Sequence, residues 1–301
     1  MGKALVESFP LAMDIFELAD SMLGFSISTI CFEGPEAELR DPANAQLAIF
    51  VTSLAAYRVL RQFLDERFQL AALAGHSLGE YSALVVSGAL DFEDALRVVR
   101  ARGQAMRLAG ERVPGGMLAV LRASRDQVEE LCKETSQETG KVVQVANDNC
   151  PGQIVVAGEH RALDLFMQKC KTHGISKPVA LNVAVAPHTS LMTEALPAFL
   201  PTLSSISIKR PNVPVVGNVS ANWLTTRDEV QEELTEQLTR PVLWNDSMRL
   251  LVRMGVKTTV EIGPGKVLTG LMRRVDRQIK RANFGNEPSE LTRVLGLLQE
   301  S

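Results

Sequence analysis

A serine stands between two glycines in Gly75-His76-Ser77-Leu78-Gly79, just after the apolar run Leu70-Ala71-Ala72-Leu73 and before the helix-like run Ser82-Ala83-Leu84-Val85-Val86. A sharp strand-to-helix turn needs small residues on either side of its centre, and it pushes the central hydroxyl out at the C-terminal edge of a sheet. The new helix leaves its first N–H groups free, chiefly that of Leu78, where they can receive a developing oxyanion. Glycines around a serine also make ordinary tight turns. The strand before and the helix after favour a nucleophile elbow with Ser77 as the attacking group.

A serine nucleophile needs a base, and the chain has four histidines. His76 adjoins Ser77, so alternation along a strand turns its ring to the opposite face. His160 and His173 bracket one helix of the middle region, and His173 fits a C-terminal cap. His188, in Val185-Ala186-Pro187-His188-Thr189, lies in a loop between a strand and a helix and is left as the base by elimination. A group to orient its ring is not evident: Glu261, before Gly263-Pro264-Gly265, is one choice and a backbone carbonyl is another.

The elements that must hold these residues follow from hydrophobic periodicity. The first third reads as helical, with one long amphipathic helix over 45–64. A short buried strand over 70–73 leads into a helix over 77–87. The next helix opens on Asp91-Phe92-Glu93-Asp94, with acids where the helix dipole favours them, and runs toward 106. Between 115 and 183 the order is strand 117–121, helix 124–138, strands 142–146 and 153–157, helix 159–172, strand 176–183. This β-α-β-β-α-β order predicts a ferredoxin-like α+β subdomain. After it come a helix (190–200), a strand (213–218), helices over 227–237 and 245–254, a strand (258–262) and a last helix to 274. Strands alternating with helices imply a parallel sheet covered on both faces. The expected fold is therefore α/β, an α/β-hydrolase-like core with its elbow. Residues 1–114 and 184–301 would form a split catalytic domain, and 115–183 the insert.

Composition excludes several classes. Hydrophobic residues make up 46%, enough for a large core, and a net charge of −3 argues against a nucleic-acid binder. No apolar run approaches the ~20 residues of a membrane span, and the N-terminus lacks a secretory core. The four cysteines show no metal-ligand spacing and no CxxC pattern, which fits reduced thiols in the cytoplasm.

The run AGHSLGEYSALVVSGAL, with Arg102-Gly103-Gln104-Ala105-Met106 downstream, resembles the malonyl-CoA:acyl-carrier-protein transacylases, including the acyltransferase domains of fatty-acid and polyketide synthases. Nearly the whole chain takes part. Gly116-Met117, Asn147-Asp148-Asn149-Cys150-Pro151-Gly152-Gln153, Pro187-His188 with Leu191-Met192, Gln237-Leu238 with Pro241-Val242, and Glu261-Ile262-Gly263-Pro264-Gly265 all fit. The resemblance implies ping-pong transfer of a malonyl group from coenzyme A, through an acyl ester on Ser77, to the phosphopantetheine thiol of an acyl carrier protein. His188 would be the base, oriented by the main-chain carbonyl of Gln237. Arg102 would bind the free carboxylate of malonate, since a guanidinium offers that group a planar fork. Asn149 could line the acyl or pantetheine pocket, or could simply form a turn beside Pro151. No bound cofactor or metal is implied, coenzyme A being carried in as substrate, and a monomer is expected.

Two departures matter. Relatives begin with a buried strand and a Gly-Gln-Gly-Ser-Gln loop before something like Met1-Gly2-Lys3-Ala4-Leu5, so that strand and a second oxyanion donor are expected to be lacking here. Malonyl-selective relatives carry phenylalanine before the histidine and methylmalonyl-selective ones serine; Pro187 fits neither, and malonyl with some acceptance of branched units is expected. Two rival functions use the same residues: an acyl-carrier hydrolase, against which Arg102 counts, and a non-catalytic scaffold that binds carrier protein. Carrier proteins are acidic, and Arg273, Arg274, Arg277, Lys280 and Arg281 are the densest positive run for docking, unless they are only a solvated helix face.

Overall fold

The computed structural model describes residues 1–299. Five helices fill the first fifth of the chain: Lys3–Ser8, Pro10–Leu23, Ile27–Glu33, Glu36–Arg40 and Pro42–Gln62. The last starts where it does because Pro42 needs no N–H partner at a helix start and the Asp41 carboxylate accepts from Ala43 N at 2.9 Å. Its apolar residues Leu47, Phe50, Val51, Leu54, Ala55 and Val59 are all buried. By length and composition it could cross a membrane, yet 61% of its apolar window is buried inside the protein, as in a core helix.

Helix Pro42–Gln62 packs along helix Phe92–Arg112, whose first turn carries Glu93 and Asp94 as expected. The two come unusually close at Gly103, where an added Cβ would lie 2.7 Å from the Ala43 Cα. That approach lets the preceding residue, Arg102, reach Gln46 on the facing helix.

The sheets differ from the expected single parallel sheet. Leu73–Ala74 pairs in parallel with Val215–Val216, which pairs antiparallel with Trp223–Leu224. Thr258–Ile262 pairs in parallel with Lys280–Phe284 in a separate two-stranded sheet. The apolar runs at 70–73 and 213–218 pair over two residues each, because Pro214 and Gly217 break the second run and the residues around it pack into the core instead. Strand Lys280–Phe284 and helix Ser289–Gln299 were not foreseen, and the basic run does not lie along one helix. Arg273 and Arg274 end helix Val267–Val275, Arg277 lies in the following turn, and Lys280 and Arg281 are on the strand.

The middle region forms a four-stranded antiparallel sheet in the order Val143–Cys150, Gln153–Glu159, Gly115–Leu121, Val179–Ala180. Helices Arg125–Thr139 and His160–Thr172 cover it, enclosing a core of their own around Leu118, Val120, Val145, Val156 and Phe166. Ser124 and Gln127 start the first helix with a reciprocal capping box, and the helix at 190–200 is a 3-10 turn, Ser190–Ala195, followed by helix Leu196–Ser205.

The elbow itself depends on one glycine. A Cβ on Gly75 would meet the Gly79 carbonyl carbon and oxygen at 2.0 Å, whereas a Cβ on Gly79 would meet nothing within 4 Å. Gly75→Ala is therefore expected to cost about 3 kcal/mol or more by forcing backbone apart, and Gly79→Ala to leave stability unchanged or raise it. Thermal unfolding of the two variants checks this.

Candidate active site

Four segments distant in sequence meet at Ser77. The turn places Ser77 at φ 51, a left-handed conformation that L-residues avoid, and His188 also sits left-handed at φ 62. Ser77 Oγ lies 2.8 Å from His188 Nε2 and receives a hydrogen bond of 3.0 Å from Arg102 Nη2. The three groups expected to share one cleft do share it.

His188 is 2% exposed. Its Nδ1 lies 2.7 Å from the Gln237 main-chain oxygen, which can only accept, so Nδ1 carries the hydrogen and Nε2 presents its lone pair to the Ser77 hydroxyl. The backbone N–H of His188 donates to Leu238 O at 2.9 Å, which fixes the ring's root beside the same segment. Glu261 is elsewhere: its carboxylate accepts from Leu268 N and Thr269 N at the start of helix Val267–Val275. The carbonyl, not a carboxylate, orients the imidazole. Burial first, and then the Arg102 charge, push His188 down to about 3, while its hydrogen bond to Gln237 works the other way. At neutral pH the ring is an uncharged acceptor.

Arg102 is 1% exposed, a charge taken out of water. Nη1 donates to Gln46 Oε1, and Nη2 to Gln237 Oε1 at 3.0 Å as well as to Ser77 Oγ. The Tyr81 ring lies 5.7 Å from the guanidinium carbon. Its Nε has no hydrogen-bond partner among the described residues. Nε and Nη2 form the edge of the fork that a carboxylate grips side-on. Nε–H is unused there, while both Nη2 hydrogens are taken by Gln237 and Ser77 Oγ, so a carboxylate on that edge would replace one of those two acceptors.

The remaining expected residues are placed as follows. Leu78 precedes helix Gly79–Val86, and its N–H has no acceptor among the described residues. Pro187 is buried directly before His188. Asn149 lies in strand Val143–Cys150, not in a turn, and its Oδ1 lies 2.8 Å from His76 Nε2, whose ring packs against Trp244. His173 caps its helix through Nδ1 and the Lys169 carbonyl. Among the described residues no group of His, Cys, Asp and Glu could hold a metal.

Comparison with known proteins agrees with this geometry. A family model described as an acyl transferase domain matches residues 1–300. This chain is an acyl transferase of that family. It is 41% identical over 300 residues to the malonyl CoA-acyl carrier protein transacylase of Bacillus subtilis, covering 100% of this chain and 93% of the relative. A crystal structure of an acyl-carrier-protein S-malonyltransferase from Bartonella henselae superposes with a TM-score of 0.92 at 37% identity, over 99% of this chain and 95% of that one. A type II PKS acyl-carrier protein in complex with its malonyl-transacylase matches at a TM-score of 0.92 and 33% identity, over 100% and 95%.

The sequence did not point to three polar residues that this acyl transferase builds into the site. Gln46 is buried on a helix that is otherwise largely apolar, and it holds Arg102. Asn218 accepts from Ser77 N at 2.6 Å and donates to Gly75 O at 2.7 Å. Glu80 is completely buried, and its carboxylate takes hydrogen bonds from Asn218 and Gln237. The one available signal was a polar residue inside an apolar run, as in Val215-Val216-Gly217-Asn218-Val219.

The depressed His188 has two consequences. Single-turnover acylation of Ser77 should keep its rate as pH falls through 6.5, because the base form persists; a half-loss near 6.5 contradicts the assignment. The unfolded chain takes up a proton on this histidine below about 6.5 and the folded one does not until about 3. This site therefore makes the fold lose stability as pH falls through that window, by up to about 1.4 kcal/mol per pH unit.

Proposed function

We propose that this acyl transferase moves a malonyl group from coenzyme A to the phosphopantetheine thiol of an acyl carrier protein through an ester on Ser77. The observation that carries the reading is Arg102: a buried guanidinium bonded to Ser77 Oγ, with Nε unpartnered among the described residues. A monoacyl group gives it nothing to bind, and a carboxylate three carbons long matches its fork. The names of the relatives agree.

In the first half-reaction Ser77 Oγ attacks the thioester carbonyl carbon while His188 Nε2 takes its proton. The Gln237 carbonyl stabilises the imidazolium through Nδ1–H, and the Leu78 N–H faces the developing oxyanion. Collapse of the tetrahedral adduct breaks the C–S bond, and the departing thiolate of coenzyme A takes the proton from His188. The second half runs the same steps in reverse with the carrier's thiol as nucleophile. Hydrolysis by water is disfavoured because a hydrolase of simple acyl groups has no use for Arg102. A scaffold role is disfavoured because the Ser77–His188 bond is intact.

In this reading residues 1–114 and 184–301 are the catalytic α/β part with an α/β-hydrolase-like elbow, and 115–183 are a ferredoxin-like insert, supported by the antiparallel order of its strands. Pro187 lines the acyl side of the cleft and sets the choice between malonyl and branched units. Asn149, held by its hydrogen bond to His76, lines the acyl or pantetheine pocket. The protein works as a cytoplasmic monomer without bound cofactor, apart from membranes and nucleic acids. The carrier docks at Arg273, Arg274 and Arg277, which with Pro151 and Gly270 surround a pocket of about 570 Å³.

Incubation with malonyl-CoA should leave a malonyl adduct on Ser77, seen by peptide mass spectrometry and lost in His188→Ala. Arg102→Ala should lower the malonyl-to-acetyl ratio of acylation rates by about 10- to 100-fold, the worth of a charge-assisted pair. An unchanged ratio removes the carboxylate role. Reversing charge at Arg273 and Arg277 should raise the KM for carrier protein several-fold and leave malonyl-CoA acylation as it was.

A further inference from the structure

We propose that Glu80 is a positioning residue for acyl transfer: its buried carboxylate orients the two side-chain amides, of Asn218 and Gln237, that clamp both main-chain groups of Ser77. The inference rests on the function proposed above and concerns a group which that mechanism does not use.

The clamp is explicit in the hydrogen bonds. Asn218 Oδ1 accepts from the Ser77 N–H at 2.6 Å, and Gln237 Nε2 donates to the Ser77 carbonyl at 2.9 Å. Asn218 Nδ2 also holds the Gly75 carbonyl at 2.7 Å, so one amide spans the elbow on both sides of His76. A primary amide can present either end, and each of these two must present a particular one. Glu80 decides both. Its Oε1 accepts from Asn218 N at 2.9 Å and from Asn218 Nδ2 at 3.0 Å, and its Oε2 accepts from Gln237 Nε2. Turning either amide over would set a carbonyl oxygen against a carboxylate oxygen and leave Ser77 unclamped.

The same carboxylate serves the other arm of the site. With Nε2 committed to Glu80 and Ser77, Gln237 turns Oε1 toward Arg102 Nη2. A carboxyl group, one amide and a guanidinium thus run in line through the buried core. Burial and then Glu233 raise the carboxyl's proton affinity, while the hydrogen bonds from Gln237 and Asn218 favour its ionised form. Glu80 is fully buried, and the three groups that donate to its carboxylate are all N–H groups. Glu233, the nearest like charge, is itself held by Val219 N and Ser220 N. Left-handed backbone at a serine persists only where the surroundings over-determine it, and among the described residues Glu80 is, apart from Ser77 itself, the one that hydrogen-bonds to both clamping side chains.

The test is single-turnover acylation by malonyl-CoA, with its Kd, for wild type, Glu80→Gln, Asn218→Ser and the double variant. In Glu80→Gln an NH2 group must face either the Asn218 donors or the Gln237 donor. Its acylation rate at saturation should fall by about 10- to 100-fold, with Kd changed less than about 3-fold and thermal unfolding still cooperative. Asn218→Ser should show the same split, and the double variant should lose no more than the worse single one, since both cut one chain of contacts. A rate within about 2-fold of wild type, a loss carried by Kd, or additive losses in the double variant would overturn the inference. Should Glu80→Gln fail to fold, Asn218→Ser decides alone by the same rate and Kd criteria. A wild-type protein that takes no malonyl group overturns the proposed function instead.

Discussion

A serine hydroxyl held in left-handed backbone at φ 51 is the constraint on which the rest of this molecule turns. The conformation costs about 1–3 kcal/mol, and a chain free to relax would turn the side chain away. Gly75 must lack a Cβ so that the first turn of the helix can fold back to within 2.0 Å of where that atom would be. Asn218 then takes up the Ser77 N–H, and Gln237 adds a second donor to the Ser77 carbonyl, which also accepts from Glu80 N at 3.2 Å. Neither helix Gly79–Val86 nor strand Leu73–Ala74 could hold the elbow alone, as one has eight residues and the other two. Packing from distant segments supplies what local structure lacks.

Burial of charge is the second demand, and it explains the polar residues that surround the site. Arg102 at 1% exposure would be intolerable without acceptors. Gln46 and Gln237 provide them as neutral amides. Neutral acceptors satisfy the guanidinium's hydrogens without cancelling its charge, so the positive field stays available to an anionic substrate. That field also acts on His188, helping to keep its ring unprotonated and able to accept. One buried cation thereby adds to burial in holding His188 neutral.

These demands explain what could be read beforehand. Ser77 and His188 were legible because each has a signature: a glycine-flanked turn, and the one histidine of four left after the others were assigned to a strand face or a helix end. Arg102 stood out through resemblance alone, since an arginine on an amphipathic helix looks the same whether it faces water or a cleft. Gln46, Glu80 and Asn218 left almost no trace, because their partners lie 56, 138 and 141 residues away. The strands and helices of the middle region were legible because their periodicities alternate cleanly and helix Arg125–Thr139 carries a cap, Ser124 with Gln127. The parallel sheet was over-read: two-residue strands are too short to show a period of two, and their apolar neighbours serve helix packing.

The segment 237–243 shows how the parts are coupled. Its first residue gives its carbonyl to His188 and its side chain to Arg102 and Ser77. Leu238 O holds the His188 backbone, Val242 exchanges hydrogen bonds with Ala146 and Asp148 of the inserted sheet, and Leu243 N reaches Asn218 O. His188, Arg102, the Ser77 elbow and the antiparallel sheet are thus tied to seven consecutive residues. A shift of the inserted sheet cannot leave the Ser77–His188 distance untouched, because both ends of that distance hang on the same backbone. The antiparallel sheet is thereby joined to the site through strand Val143–Cys150, whose Val145 packs in the core that holds Phe166 and Val156 and whose Ala146 and Asp148 bond Val242.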